Sequence, residues 1–229
     1  MKKRIYHGSE NRIEKPIYGY GKKYNDYGIG FYCTESMEMA KEWGVDSNRD
    51  GYANIYDLEL DGLVILNLND QRYCILHWLS VLLQNRDFET SSPLANEAKE
   101  YLTTYFTPDY LSADVIVGYR ADDRYFSFAQ DFLNGTISYR QLSAAMYLGK
   151  LGQQIVLKSE KAFSQLTFVD AEIAKSEDWF TKKRFRDKTA RKEYFTARTS
   201  KRQRGDLYIT QILDEEMKED DERLRQNVS

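Results

Sequence analysis

Apolar residues recur along this chain with two different spacings, which predict a mixture of strands and helices. Alternating or continuous apolar runs of about four to eight residues indicate strands, whereas apolar residues three and four apart indicate helices. The predicted strands are residues 5–8, 31–32, 55–60, 63–68, 114–118, 153–158 and 167–169. The predicted helices are residues 37–43, from 69 or 70 to 86, 91–107, 124–133, from 138 to 149 or 152, and 159–166. Because these elements interleave without a repeated βαβ unit, we expect an α+β fold.

Two local signals indicate how neighbouring elements connect. The dipeptide Asp61-Gly62 is typical of a tight turn, so the strands on either side of it are expected to form a hairpin. Thr34 or Ser36 can cap the helix at 37–43, because a side-chain oxygen at that position accepts a hydrogen bond from a free backbone N–H.

Composition limits the class of protein. The 229 residues are 41% hydrophobic and carry a net charge of −3, which suits one large domain, or one domain with an extension. The two cysteines, Cys33 and Cys74, lack the spacing of a zinc site and indicate free thiols in a reducing compartment. No apolar run is long enough to span a membrane. We therefore expect a cytoplasmic protein with no membrane partner.

The last quarter of the chain divides into two oppositely charged halves. Residues 179–204 contain 11 Lys and Arg against two acids, and residues 206–222 contain eight acids against one Lys. Aromatic residues among the basic ones could form a nucleic-acid-binding surface. The alternative, which we prefer, is a pair of charged helices that neutralise each other or pack on the domain. We therefore expect a domain at 1–170 and a charged helical extension at 171–229, whose acidic half packs through an apolar stripe.

A segment rich in glycine and aromatic residues holds the most chemical information. Gly28 and Gly30 let the backbone turn sharply and approach a ligand closely, and Phe31 and Tyr32 follow at once. A strand, a turn and a helix then bring Trp43 near Tyr32. Two aromatic faces beside a flexible turn form a slot for a flat ring, although both rings could instead belong to the core.

A second motif, Tyr6-His7-Gly8-Ser9, precedes this segment. Together the two resemble the ADP-ribosyltransferase superfamily, in particular poly(ADP-ribose) polymerases and diphtheria-toxin-like enzymes. In those families a His-Gly pair holds the nicotinamide carboxamide of NAD and the adjoining ribose, and two aromatic residues stack on the ring. The resemblance implies NAD as a substrate and no metal. The residues it assigns to NAD binding are His7, Gly8, Ser9, Gly28, Gly30, Tyr32, Thr34 and Trp43.

A nearer resemblance is to an uncharacterised bacterial family within the same superfamily. Five of its motifs occur here in order within residues 6–157: Tyr-His-Gly-Ser, Asp-x-Gly-x-Gly-Phe-Tyr, an Asn-Arg pair, an Asp followed by three hydrophobic residues and Gly, and a late Gln-hydrophobic strand. The resemblance implies a split β-sheet core with flanking helices, and transfer of ADP-ribose to a protein or nucleic-acid acceptor. It also suggests a toxin-like role with a small cognate antitoxin-like protein as partner.

The chain departs from these enzymes at one catalytic position. They carry a glutamate on a late strand, where it stabilises the positive charge that develops on the ribose. The matching strand here has Gln153 and Gln154, and we expect Gln154 at the site, with His7 and Tyr32 completing the catalytic set. A glutamine accepts a hydrogen bond but supplies no charge. Two alternatives follow: a weakly active or inactive module that binds NAD or ADP-ribose, and an RNA-associated protein that uses residues 179–204.

Overall fold

The computed structural model describes residues 1–121, 123–145 and 153–225, which form two open sheets flanked by helices. The strands are β1 (Lys2–Ser9), β2 (Phe31–Cys33), β3 (Gly51–Glu59), β4 (Ile65–Asn67), β5 (Val115–Tyr119), β6 (Gln153–Leu157) and β7 (Leu166–Ala174). The helices are α1 (Met37–Gly44), α2 (Ile75–Asn85), α3 (Pro93–Tyr105), α4 (Asp123–Leu133), α5 (Tyr139–Ala145), α6 (Glu160–Ser164), α7 (Ser176–Arg198), α8 (Ile209–Asp214) and α9 (Glu222–Arg225).

The two sheets have three and four strands. In the first, β3 lies between β1 and β7, and both pairings are antiparallel. In the second the order is β2-β6-β5-β4, with only β4 and β5 parallel. A parallel pair needs a long crossover, which α2 and α3 supply. Most strand pairs are antiparallel, and the helices do not alternate with strands in repeated βαβ units. The fold is therefore α+β, as the sequence predicts.

The sheets meet at one backbone pair. The Tyr6 N–H donates to the Thr34 carbonyl at 2.8 Å, and the Thr34 N–H donates to the Tyr6 carbonyl at 2.9 Å. This pair holds the middle of β1 beside the end of β2, so residues on either side of it approach each other from different sheets.

Two hydrophobic clusters fill the space between layers. The larger one joins the second sheet to α2, α3, α4 and α5, with Trp78 and Phe132 almost completely buried. The smaller one lies around Ile5, Tyr56 and Leu157 and connects the two sheets. Burial of this apolar surface is the main stabilising contribution to the fold.

The predicted hairpin at Asp61-Gly62 is wrong. The turn forms, with Gly62 at φ +77° and the Leu63 N–H donating to the Leu60 carbonyl at 3.2 Å. However, β1 and β7 occupy both edges of β3, so β4 has no place beside it and pairs with β5 in the other sheet.

Other predicted boundaries shift for local reasons. The helix predicted at 37–43 is α1, and Ser36 is its cap, with the Met39 N–H donating to Ser36 Oγ at 3.2 Å. The helix predicted from 69 or 70 begins only at Ile75, because the Tyr73 N–H closes a separate turn on the Asp70 carbonyl. The predicted end of the helix after 138, at 149 or 152, lies outside the described residues.

The last strand is longer than predicted. It was expected at 167–169, but β7 continues to Ala174 because β3 offers a nine-residue partner. Polar outward positions in this edge strand, such as Asp170 and Glu172, hide the strand pattern in the sequence. The boundary expected at residue 170 therefore falls inside an element of the first sheet.

The acidic half of the C-terminal region packs on the domain, as predicted. Ile209, Ile212, Met217 and Leu224 are buried in the larger cluster. The two charged halves do not pair with each other: in the part of the chain that the structure describes, no ion pair joins residues 179–204 to 206–222. Among the described residues no helix has the length and apolar character required to cross a bilayer.

We predict that Ile212→Ala lowers the free energy of unfolding by about 2–5 kcal/mol, because it removes a fully buried side chain and leaves a cavity. Urea denaturation measures the change. The matched control is Ile173→Ala, since Ile173 is 56% exposed and its loss should cost less than about 0.5 kcal/mol. Equal effects of the two substitutions would show that α8 does not pack on the domain.

Candidate functional site

A cavity of about 970 Å³ opens where the two sheets meet, beneath the loop at residues 11–27. Its size is within the usual range of about 300–1,000 Å³ for small-molecule sites. Six residues that the sequence assigned to one site line it together, although they come from four different elements and a turn. They are His7, Gly8, Gly30, Tyr32, Trp43 and Gln154.

The orientation of His7 follows from the junction of the sheets. Its Nδ1 lies 2.7 Å from the carbonyl oxygen of Tyr32. A carbonyl only accepts, so Nδ1 carries the proton and Nε2 of the neutral ring remains an acceptor. Burial lowers the pKa of His7, which favours the neutral form. The imidazole also stacks on Phe31, with ring centroids 4.2 Å apart.

The hydroxyl of Tyr32 both donates and accepts a hydrogen bond, which fixes the side chain. Its hydroxyl donates to the Gly28 carbonyl at 2.6 Å and accepts from the Tyr27 N–H at 3.1 Å. Burial raises the pKa of this hydroxyl far above its usual range, so it stays protonated. The ring is therefore a fixed wall of the cavity rather than an acid or base.

Gly8 sets the distance between β1 and α1. A Cβ at this position would collide with the carbonyl oxygen of Ala40 and lie 2.7 Å from Cβ of Trp43. The missing side chain thus lets α1 lie against the strand and brings Trp43 to the cavity wall. The Arg120 guanidinium lies over the Trp43 ring, 4.8 Å from its centroid. The buried Trp43 Nε1 has no hydrogen-bond partner among the described residues.

Gln154 lies near the start of β6, one of the two inner strands of the second sheet. It pairs with Gly118 on β5, and its side chain points to the cavity while that of Gln153 is exposed to solvent. Strand alternation accounts for this difference, because successive side chains point to opposite faces. The buried Oε1 of Gln154 accepts no hydrogen bond from any residue that the structure describes.

Three of the expected NAD-binding residues do not line the cavity. The Ser9 hydroxyl donates to the Asn11 carbonyl, and Thr34 Oγ1 accepts from the Ser36 N–H at 3.2 Å. Gly28 adopts φ +72°, a conformation that glycine takes without strain, and closes the turn before β2. All three support the local backbone, and their contact with a ligand stays a prediction.

Asn54, which the sequence did not single out, anchors the start of the loop. Its side chain is completely buried on β3. Its Oδ1 accepts from the Ile13 N–H at 2.7 Å, and its Nδ2 donates to the carbonyl of Asn11 and the hydroxyl of Ser9. In the sequence it lies just before the predicted strand at 55–60, and only its partners distant in sequence reveal its role.

The other end of the loop is held by charged groups. Asp26 accepts from Arg86 Nη1 at 3.1 Å and from the Ala121 N–H at 2.8 Å. Lys158 donates to the carbonyls of Tyr27 and Ile29, and burial lowers the pKa of its ammonium group. Both residues hold the loop above the cavity. Asp26 begins the Asp-x-Gly-x-Gly-Phe-Tyr motif, but its partners, like those of Lys158, are distant in the sequence.

Cations dominate the lining of the cavity. Four cationic side chains and one carboxylate line it: Lys15, Lys22, Arg86, Arg120 and Asp26. Because the Asp26 carboxylate already forms an ion pair with Arg86, the electrostatic potential in the cavity is positive and favours an anionic ligand.

The chain belongs to DUF3990, a family of proteins of unknown function. Residues 3–168 match the family, from β1 into the start of β7. This range includes every residue that lines the cavity. Neither a curated protein nor a solved structure matches the chain.

The cavity of this DUF3990 protein offers specific unmet hydrogen bonds. Trp43 Nε1 is a buried donor and Gln154 Oε1 is a buried acceptor, and leaving such groups unpaired costs about 1–3 kcal/mol each. Among the described residues, no group of three or more His, Cys, Asp and Glu is placed to hold a metal ion.

We predict that His7 destabilises the folded protein at acid pH. Its folded pKa lies below the unfolded value of about 6.5. The unfolded chain therefore binds more protons, and stability falls as the pH decreases through and below 6.5. Urea denaturation between pH 7.5 and 5 should show a smaller pH dependence in His7→Gln than in the native chain, and NMR titration should place the His7 midpoint below that of a free histidine. A midpoint above it would contradict the burial of a neutral ring.

Proposed function

We propose that this protein binds NAD in the cavity and transfers its ADP-ribose group to an acceptor. The observation that carries the proposal is one cationic cavity lined by His7, Tyr32, Trp43 and Gln154. Two of these residues also carry a buried polar atom with no partner among the described residues, Trp43 Nε1 and Gln154 Oε1. The resemblance of the motifs to ADP-ribosyltransferases supports the same assignment.

NAD fits the chemical character of the lining. Its nicotinamide ring would lie against Tyr32 and the Trp43 face opposite Arg120, with the carboxamide at His7-Gly8. The nicotinamide ribose would reach Gln154, whose Oε1 accepts from a hydroxyl. The diphosphate carries two negative charges and would interact with the cations of the cavity.

Transfer breaks the bond between ribose C1′ and the nicotinamide nitrogen. The bonding electrons leave with nicotinamide, which becomes neutral, and a nucleophile of the acceptor bonds to C1′ and loses its proton. Positive charge builds up on the ribose in the transition state, so a neighbouring anion would accelerate the reaction. Gln154 provides a neutral hydrogen bond, worth about 0.5–1.5 kcal/mol, where a charged partner would give about 1.5–3 kcal/mol.

This neutral group favours a second candidate function. With no carboxylate beside the ribose, the cavity could hold NAD or ADP-ribose without efficient turnover, so the protein would act as a binding module.

The transferase proposal also includes an acceptor, which is a protein or a nucleic acid, and a small antitoxin-like partner. A cytoplasmic location is part of the proposal, and the free thiols of Cys33 and Cys74 support it because they are typical of a reducing compartment.

We predict that NAD binds and that Trp43→Ala weakens binding about tenfold, since stacking is worth about 0.5–1.5 kcal/mol beyond area burial and the Nε1 hydrogen bond is lost as well. Isothermal titration calorimetry measures both affinities. Trp43→Phe is the matched variant, because it keeps a smaller aromatic ring and removes the indole donor, so its affinity should lie between the other two. No NAD binding by the native chain, or equal binding by all three proteins, would reject the assignment.

We predict that Gln154→Glu raises the rate of nicotinamide release from NAD about tenfold, equivalent to about 1.4 kcal/mol of transition-state stabilisation. Chromatographic assay of free nicotinamide measures it. Gln153→Glu is the control on the same strand, and it should have no effect because Gln153 points to solvent. If neither variant changes the rate while both still bind NAD, the transferase assignment is wrong and the binding module remains.

A further inference from the structure

The two sides of α7 have different environments. One side faces the domain: Arg186 pairs with the buried carboxylate of Glu42 at 2.5 Å, Lys183 donates to the Val45 carbonyl, and Ala190 is buried. Arg198 pairs with Asp131 near the end of the helix. These contacts attach α7 along its length, so its opposite side is presented to solvent in a fixed orientation.

The outward face of α7 carries cationic side chains that form no hydrogen bond or ion pair with the described part of the protein. Arg184, Lys188, Arg191 and Lys192 are exposed and make no hydrogen bond or ion pair within residues 1–121, 123–145 and 153–225. At about 100° per residue, they share an arc of about 120° around the helix axis. Four unpaired positive charges on one arc create a strong local potential that would attract an anionic partner.

Two phenylalanines lie among these cations. Phe185 is 73% exposed and Phe195 is 68% exposed, on the same arc and about 15 Å apart along the axis. A shallow groove of about 460 Å³ runs beside Phe185, Lys188 and Arg191. Aromatic rings exposed among cations on a fixed helix are typical of surfaces on which bases stack while phosphates contact the charges.

We propose that the outward face of α7, formed by Arg184, Phe185, Lys188, Arg191, Lys192 and Phe195, binds single-stranded nucleic acid. A single strand exposes the faces of its bases, whereas a duplex keeps them stacked inside, so the two phenylalanines favour the single strand. A membrane surface fits less well, because a helix that lies in a membrane buries a continuous apolar face. Among the side chains of α7 that the structure describes, only Phe185 and Phe195 are large, apolar and exposed beside the outward cations.

Fluorescence anisotropy with a labelled oligouridylate of about 12 nucleotides tests the proposal. The double variant Lys188→Gln/Lys192→Gln should bind roughly tenfold more weakly and lower the slope of log affinity against log salt by about 1.4, at about 0.7 per lost phosphate contact. The matched control is Lys2→Gln/Lys23→Gln, which removes two other exposed lysines and the same charge. It should leave affinity and slope unchanged.

The aromatic contribution is tested separately. Phe185→Ala/Phe195→Ala should weaken binding to the single strand by about fivefold or more and leave the salt slope unchanged, because stacking is lost and the charges stay. An oligodeoxythymidylate of equal length distinguishes DNA from RNA as the preferred strand. All variants should bind NAD as the native chain does, since none of the substituted residues lines the cavity.

Several results would overturn the proposal. They are an absence of oligonucleotide binding at low salt, equal affinity for an RNA duplex, an equal loss in the Lys2→Gln/Lys23→Gln control, and tighter binding to phosphatidylserine vesicles than to the oligonucleotide. The last result would assign the face to a membrane surface. Because NAD titration is independent of α7, failure here leaves the function proposed for the cavity intact.

Discussion

The candidate site depends on the way two separate sheets are joined at one point. The paired backbones of Tyr6 and Thr34 place β1 beside β2, and the hydrogen bond from His7 to the Tyr32 carbonyl adds a side-chain link across the same junction. Open sheet edges normally remain available for further pairing. Here the short contact ends at once and the sheets diverge, which leaves room for a cavity between them. Displacing either strand would separate His7 from Tyr32.

Around this junction the structure uses polar groups in two ways. Asn54, Asp26 and Lys158 have satisfied hydrogen bonds and hold the loop at both ends. Trp43 and Gln154 line the cavity, and each carries a buried polar atom with no partner among the described residues. Buried polar groups are nearly always paired in folded proteins, so unpaired atoms on the walls of one cavity are more informative than its shape. The satisfied set stabilises the architecture, whereas the unsatisfied pair marks the part of the cavity wall where hydrogen bonding is incomplete among the described residues.

The C-terminal region joins the same architecture. Apolar residues of α8 and α9 complete the larger cluster, and the Glu42 carboxylate attaches α7 to α1, the helix that carries Trp43. Burial raises the pKa of Glu42 despite the neighbouring Arg186, so the desolvation of this pair opposes part of its attraction. One helix can therefore stabilise the fold through its inner face while its outer face stays free for another partner.

Local pattern was sufficient for much of this protein. Periodicity identified most of the strands and helices, Ser36 was one of two predicted caps of α1, and strand alternation predicted that Gln153 and Gln154 point to opposite faces. These features depend on neighbours in the chain, so sequence determines them directly. Strand pairing depends on residues distant in the sequence. β4 does not form the predicted hairpin because β1 and β7 pair with both edges of β3, and β7 is longer than predicted because it pairs along nearly the whole of β3. Only the tertiary structure showed that Ser9, Gly28 and Thr34 support the backbone, because it shows which residues line the cavity and which do not. It also brought Asn54, Arg86 and Arg120 to the site, since these residues come from distant parts of the sequence.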